Sequence, residues 1–123
     1  MPRPPIRVLV AADREVAAAR LEALLRADAN RRVLIGAPGA LGRLIEEHDP
    51  AVVVLASTAA RAISILNALV DATSVPPVVL IVDDPRAAWT PAVRRAGVRA
   101  VLDSRAGAEE ISAALTAART GAR

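Results

Sequence analysis

At 123 residues, 54% of them hydrophobic, the chain carries enough apolar side chains to bury a core and too many to remain disordered. Its formal net charge is +3 and all 16 basic side chains are arginine, scattered along the chain with doublets only at Arg31-Arg32 and Arg94-Arg95; a nucleic-acid face needs such charges concentrated, ideally beside stacking aromatics, and Trp89 is the only aromatic residue. With no cysteine there is no disulfide framework or thiolate metal site, and no apolar run approaches the ~20 residues of a membrane-spanning helix.

The opening Met1-Pro2-Arg3-Pro4-Pro5 leads into a strand without the apolar stretch of a signal peptide, so a cytoplasmic location is expected. Ile6 to Ala11 reads as a first strand. Asp13 then caps a helix whose apolar stripe is Ala17, Leu21, Leu24 and Leu25. Arg32 to Ile35 forms a second strand. Gly36, Pro38 and Gly39 break the chain before a second helix with Leu41, Leu44, Ile45 and His48 along one side, and Asp49-Pro50 ends it. Ala51-Val52-Val53-Val54-Leu55-Ala56 shows no alternation and describes a strand covered on both faces, the centre of a parallel sheet. A third helix runs from about Thr58, its cap, to Asp71, with Ile63, Leu66 and Val70 facing inward.

Val78 to Val82 is a second fully apolar strand. Asp83-Asp84-Pro85 starts a turn, with Asp84 as a cap, and a fourth helix begins at Pro91 with Thr90 as its cap and Val93 and Ala96 facing inward. Gly97 stops that helix, Arg99 to Leu102 makes a fifth strand, and a last helix from near Gly107 buries Ile111, Ala114, Leu115 and Ala118. Strict alternation of strand and helix implies one α/β domain: a parallel sheet with helices on both faces and right-handed crossovers.

Several of these residues resemble a known family. Ile6 to Asp13 is similar to the opening of a bacterial response-regulator receiver domain, where the first strand ends in an acidic pair. Asp49 to Leu55 resembles the approach to that family's phosphoacceptor, Arg95 to Leu102 the entry to its fifth strand, and Glu109-Glu110-Ile111 the start of its last helix. The resemblance covers residues 6 to 119 and implies a flavodoxin-like fold with strand order 2-1-3-4-5.

It also implies a dismantled site. The acidic pair falls on Ala12 and Asp13, the phosphoacceptor on Ala56, the hydroxyl residue ending strand four on Val82, the switch aromatic on Val101 and the lysine on Ser104; no lysine exists anywhere in the chain. Phosphoryl acceptance in such a domain needs carboxylates around a divalent cation, a nucleophilic carboxylate and a balancing cation. The resemblance therefore implies a degenerate receiver, a pseudo-receiver: not an enzyme, with no cofactor, signalling by protein contact without phosphorylation. Its partner would be a protein or a second copy, as a homodimer through the face of the fourth helix, fifth strand and last helix, where Trp89, Val101 and Arg105 are the candidate residues. In the family such a domain often belongs to a two-component transcriptional regulator; no membrane or direct nucleic-acid contact is expected of this part. The alternative is a module that binds a small molecule at the vacated edge around Ala56, Ser57, Val82 and Ser104.

Individual residues carry simpler readings beside these. Asp13, Asp83 and Asp103 could gather with Asp84 as a cation site, or pair with Arg14, Arg86 and Arg105 and cap helices. Arg105 could also place its cation where the family has its lysine. Ser57 and Thr58 follow the central strand but lack a base, because the one histidine, His48, belongs at the opposite edge of the sheet. Gly36, Gly39 and Gly42 match neither a dinucleotide fingerprint nor a phosphate loop and read as turn punctuation. Trp89 either anchors an interface or packs over Val93.

Overall fold

A computed structural model describes residues 5–28, 30–72 and 74–119. Its centre is β3 (Val52–Ser57), hydrogen-bonded on one side to β1 (Ile6–Ala12) and on the other to β4 (Val78–Val82). β2 (Arg31–Gly36) and β5 (Val98–Asp103) complete a five-stranded parallel sheet of order β2-β1-β3-β4-β5. The helices are α1 (Glu15–Arg26), α2 (Leu41–His48, entered by a 3-10 turn at Pro38–Ala40), α3 (Ala59–Ala72), α4 (Pro85–Ala88), α5 (Pro91–Arg95) and α6 (Ala108–Arg119). This is a single α/β domain of the flavodoxin-like kind, as the alternation of elements and the resemblance both imply.

The period of two along each strand divides the core into two layers. Leu9, Ala11, Val53, Leu55, Val78, Leu80 and Val82 face α2, α3, α4 and α5, which supply Leu41, Ile45, Ala62, Leu66, Leu69, Ala88 and Val93. Val8, Val10, Val52, Val54, Ala56, Val79 and Ile81 face α1 and α6, which supply Leu21, Leu25, Ile111, Ala114, Leu115 and Ala118. Both faces of β3 and β4 are thus covered, and every residue from Val78 to Val82 is buried. No polar or charged side chain among the described residues is buried.

Four expectations are corrected. Ala51 is exposed and precedes β3, which instead runs one residue further, to Ser57. Arg14, not Asp13, holds the N-cap position of α1, without a side-chain bond, because the Asp13 carboxylate is drawn to Ser57 and Arg61. The buried side of α3 is Ala59, Ala62, Leu66 and Leu69, whereas Val70 is 48% exposed. The turn expected at Asp84-Pro85 closes as a helical turn of its own, α4, where Asp84 accepts from the Ala87 N–H (3.4 Å). The helix expected from Pro91, α5, in which Thr90 accepts from the Val93 N–H (3.2 Å), is therefore the second of two short turns.

One glycine is fixed by geometry: Gly97 has φ +99° and turns the chain from α5 into β5. A methyl group on Gly36 would meet the end of the Leu44 side chain, which would have to shift to make room.

The phase of α3 is checked by two truncations. Leu69→Ala is expected to lower unfolding free energy by about 2–4 kcal/mol and Val70→Ala by less than about 0.5 kcal/mol in urea titrations. The opposite ranking would mean that α3 turns its other side to the sheet.

Candidate functional site

The carboxyl edge of the sheet collects the ends of four strands. Register sets Ala12 beside Ala56, Ala56 beside Ile81, Ser57 beside Val82, and Val82 beside Asp103. The loops close on the same edge: the Asp13 N–H donates to the Ala56 carbonyl (3.3 Å) and the Ser104 N–H to the Val82 carbonyl (2.9 Å). Ala12, Asp13, Ala56, Val82 and Ser104 are therefore brought together in the backbone, although they are far apart in sequence.

Their side chains do not all face one space. Ala56 and Ile81 point toward the α1 and α6 layer, while Val82, fully buried, points into the opposite one. A hollow of about 510 Å³ opens over the edge, lined by Asp13, Arg14, Val16, Ala17, Arg20, Leu21, Ala56, Ser57, Thr58, Ile81, Asp83 and Ser104. Val82 was expected at this edge and is absent from the lining. Strand parity is the reason, since the neighbour of Ala56 in register is Ile81.

The carboxylates at the edge are each engaged separately. Asp13 accepts the Ser57 hydroxyl proton and forms an ion pair with Arg61 Nε at 2.9 Å. Asp83 accepts the first N–H of α3, from Ala59, at 3.0 Å. Asp103 accepts the Arg105 backbone N–H at 2.8 Å and its Nε at 3.3 Å. Pairing of Asp103 with Arg105 was expected; pairing of Asp13 with Arg14 and of Asp83 with Arg86 was not found. No group of three or more His, Asp or Glu among the described residues is arranged to hold a metal ion. Asp13, Asp83 and Asp103 do not gather into one cation site.

Arg61 is the functional residue that sequence reasoning missed. It lies one turn into α3, whose start is capped by Thr58 Oγ1 accepting the Arg61 N–H at 3.3 Å. That turn delivers a guanidinium to the Asp13 carboxylate. Arg105 does not supply that charge, because it turns to Asp103 and stays exposed. Nothing in local sequence pairs Arg61 with Asp13; the contact exists only once β1 and β3 are neighbours.

The bonds from Arg105, its backbone N–H before its side chain, hold the Asp103 carboxyl below the usual carboxylate range. His48 lies at the end of α2, and its carbonyl accepts from Arg7 near the start of β1, at the amino edge, so it has no part here. Trp89 is exposed, its ring under the Arg94 guanidinium (4.8 Å), and with Pro85, Arg86 and Val101 it lines a separate open hollow of about 260 Å³. Trp89 and Val101 are thus brought together, and Arg105 is not part of that lining.

With the geometry in place, comparison with known proteins is informative at the level of fold. No protein-family model matches the chain, and no curated protein matches it. Solved structures do. The response regulator domain of Thermotoga maritima CheB aligns over 97% of this chain and 99% of its own with a TM-score of 0.80 and 18% identity. A response regulator receiver domain protein from Clostridium thermocellum aligns over 94% of both chains with a TM-score of 0.78 and 18% identity. The chain has the receiver fold. A pilus assembly protein, CpaE, from Caulobacter crescentus aligns over 91% of this chain and 98% of its own with a TM-score of 0.70 and 21% identity. No helix among the described residues is long and apolar enough to cross a membrane.

The Asp103 arrangement makes a signed prediction. A depressed folded-state pKa contributes stability above the unfolded value and loses it as pH falls through the folded one. Carboxyl NMR titration is expected to place Asp103 below an ordinary aspartate. Arg105→Ala should recover part of that shift, since the backbone N–H remains; full recovery would make the guanidinium the whole cause.

Proposed function

We propose that this chain is a receiver-like signalling domain that accepts no phosphoryl group and works through contact with a protein partner. The observation that carries this is Ala56, at the end of the central strand, where the resemblance puts the acceptor carboxylate. A methyl group cannot attack phosphorus, and the two acids that share its hollow, Asp13 and Asp83, are already bonded to Arg61 and to the Ala59 N–H. The Asp13–Arg61 pair supports the same reading: the one remaining acid is already neutralised from within the chain.

The contact surface in this proposal is the face of α4, α5, β5 and α6, with a second copy as the occupant. Trp89 and Val101 form its apolar part, ringed by Arg86 and Arg94. An exposed tryptophan beside an apolar strand residue is the composition of an interface centre. Arg105, exposed and tied to Asp103, would sit outside that centre. The domain would act in the cytoplasm as the regulatory part of a transcriptional regulator, without touching nucleic acid itself. A second reading, a small-molecule-binding module, is favoured by the apolar-floored hollow over Ala56.

Incubation with acetyl phosphate and magnesium is expected to leave the intact mass unchanged; a phosphoryl adduct would overturn the proposal. Sizing chromatography is expected to give a dimer that Trp89→Ala shifts to later elution. An unchanged profile removes Trp89 from the interface.

A further inference from the structure

The hollow at the carboxyl edge has an apolar interior and one uncommitted charge. Its floor is the Ala56 methyl group with Ile81 and Leu21, and Ala17 forms a wall. At the mouth stands Val16, 81% exposed, the most exposed large hydrophobic side chain among the described residues. Nothing in the folded chain covers it, and it continues the apolar lining outward. Among the polar lining groups, Asp13 is held by Arg61 and Ser57, Asp83 by the Ala59 N–H, and Arg20 donates to the Ala106 carbonyl at 2.7 Å. The Arg14 guanidinium has no hydrogen-bond or ion-pair partner among the described residues, and the Ser104 hydroxyl has none either.

We infer that this hollow binds a small organic carboxylate with a short aliphatic body, an inference that rests on the second reading above. The anionic head would meet the Arg14 guanidinium, which suits a carboxylate's two oxygens. The aliphatic chain would cover Val16, Ala17, Leu21 and the Ala56 floor, and take that surface from water. A metal ion is disfavoured because both nearby carboxylates are already bonded. An inorganic anion would leave the apolar floor unused, and an aliphatic amine would meet Arg14 as a like charge. The volume of about 510 Å³ is within the ordinary range for small-ligand sites.

The test uses the whole chain and octanoate as probe, followed by amide NMR. Saturable shifts are expected at residues 14–21, 56–58, 81–83 and 104, with half-saturation below about 1 mM. Arg14→Gln should weaken octanoate by about three- to five-fold, because the site is open to solvent. Val16→Ser, at the exposed rim, should also weaken it, and octylamine should give no saturation. The inference is overturned if shifts do not saturate by about 10 mM, if they fall on the Trp89 hollow instead, or if octanol binds as tightly as octanoate. An acetyl-phosphate adduct would sink the non-phosphorylated reading without touching these outcomes. Lack of octanoate binding with an unchanged mass would remove the ligand and leave the protein-contact reading in place.

Discussion

β3 lies between two parallel neighbours and under helices on both faces, so each of its side chains must be apolar and fit a defined gap. A parallel sheet closed in this way has no solvent-facing side on which a polar residue could be placed without losing its hydration. The sequence from Val52 to Ala56 satisfies that demand to its last buried position. Polar groups then begin together, at Ser57, Asp13, Asp83, Asp103 and Ser104, because the strands all stop at one edge. The place where chemistry could sit is thus fixed by where burial ends, and the register of β1, β3, β4 and β5 decides which residues meet there.

The electrostatics of that edge are local and closed. Each acid has its own partner: Asp13 takes Arg61 of α3, Asp83 the first N–H of the same helix, and Asp103 the residue two positions on. None is buried, and each bond ties a loop to a helix start or to itself. A receiver that used a divalent cation would need such carboxylates left open toward a common point. Here a guanidinium from α3 supplies positive charge at Asp13 directly, which ties the loop after β1 to the start of α3.

Much of the architecture was legible in the sequence, and the reasons differ by element. β3 and β4 were plain because burial on both faces leaves unbroken apolar runs. α6 was plain because Ile111, Ala114, Leu115 and Ala118 recur at helical spacing. On α3 Leu66 and Ile63 pack inward as expected but Val70 does not, because much of the buried side is alanine, which signals little, and Leu69 takes the place given to Val70. Thr90-Pro91 was recognised as a helix start and Asp84-Pro85 as a capped turn; that the turn closes as a helical one was not read, since four residues leave no period to detect. At the edge, the backbone assembly of Ala12, Asp13, Ala56, Val82 and Ser104 followed from topology alone. The exclusion of Val82 from the hollow required the register, and the Arg61 contact required the folded neighbours of β1 and β3. Asp13 read as a cap because capping is the local option; a tertiary partner outcompeted it.

The shortness of α4 and α5 has a mechanical consequence. Neither piece is long enough to be stable as a helix by itself, since forming the first turn costs more than a single turn returns. Both hold their shape through a cap and a few buried anchors, Ala88 and Val93, set against the sheet. The segment between β4 and β5 is thus held by two caps and two buried side chains instead of by helical length. Trp89 sits at the joint between the two turns, so a group that held the indole ring would meet the end of one turn and the start of the next.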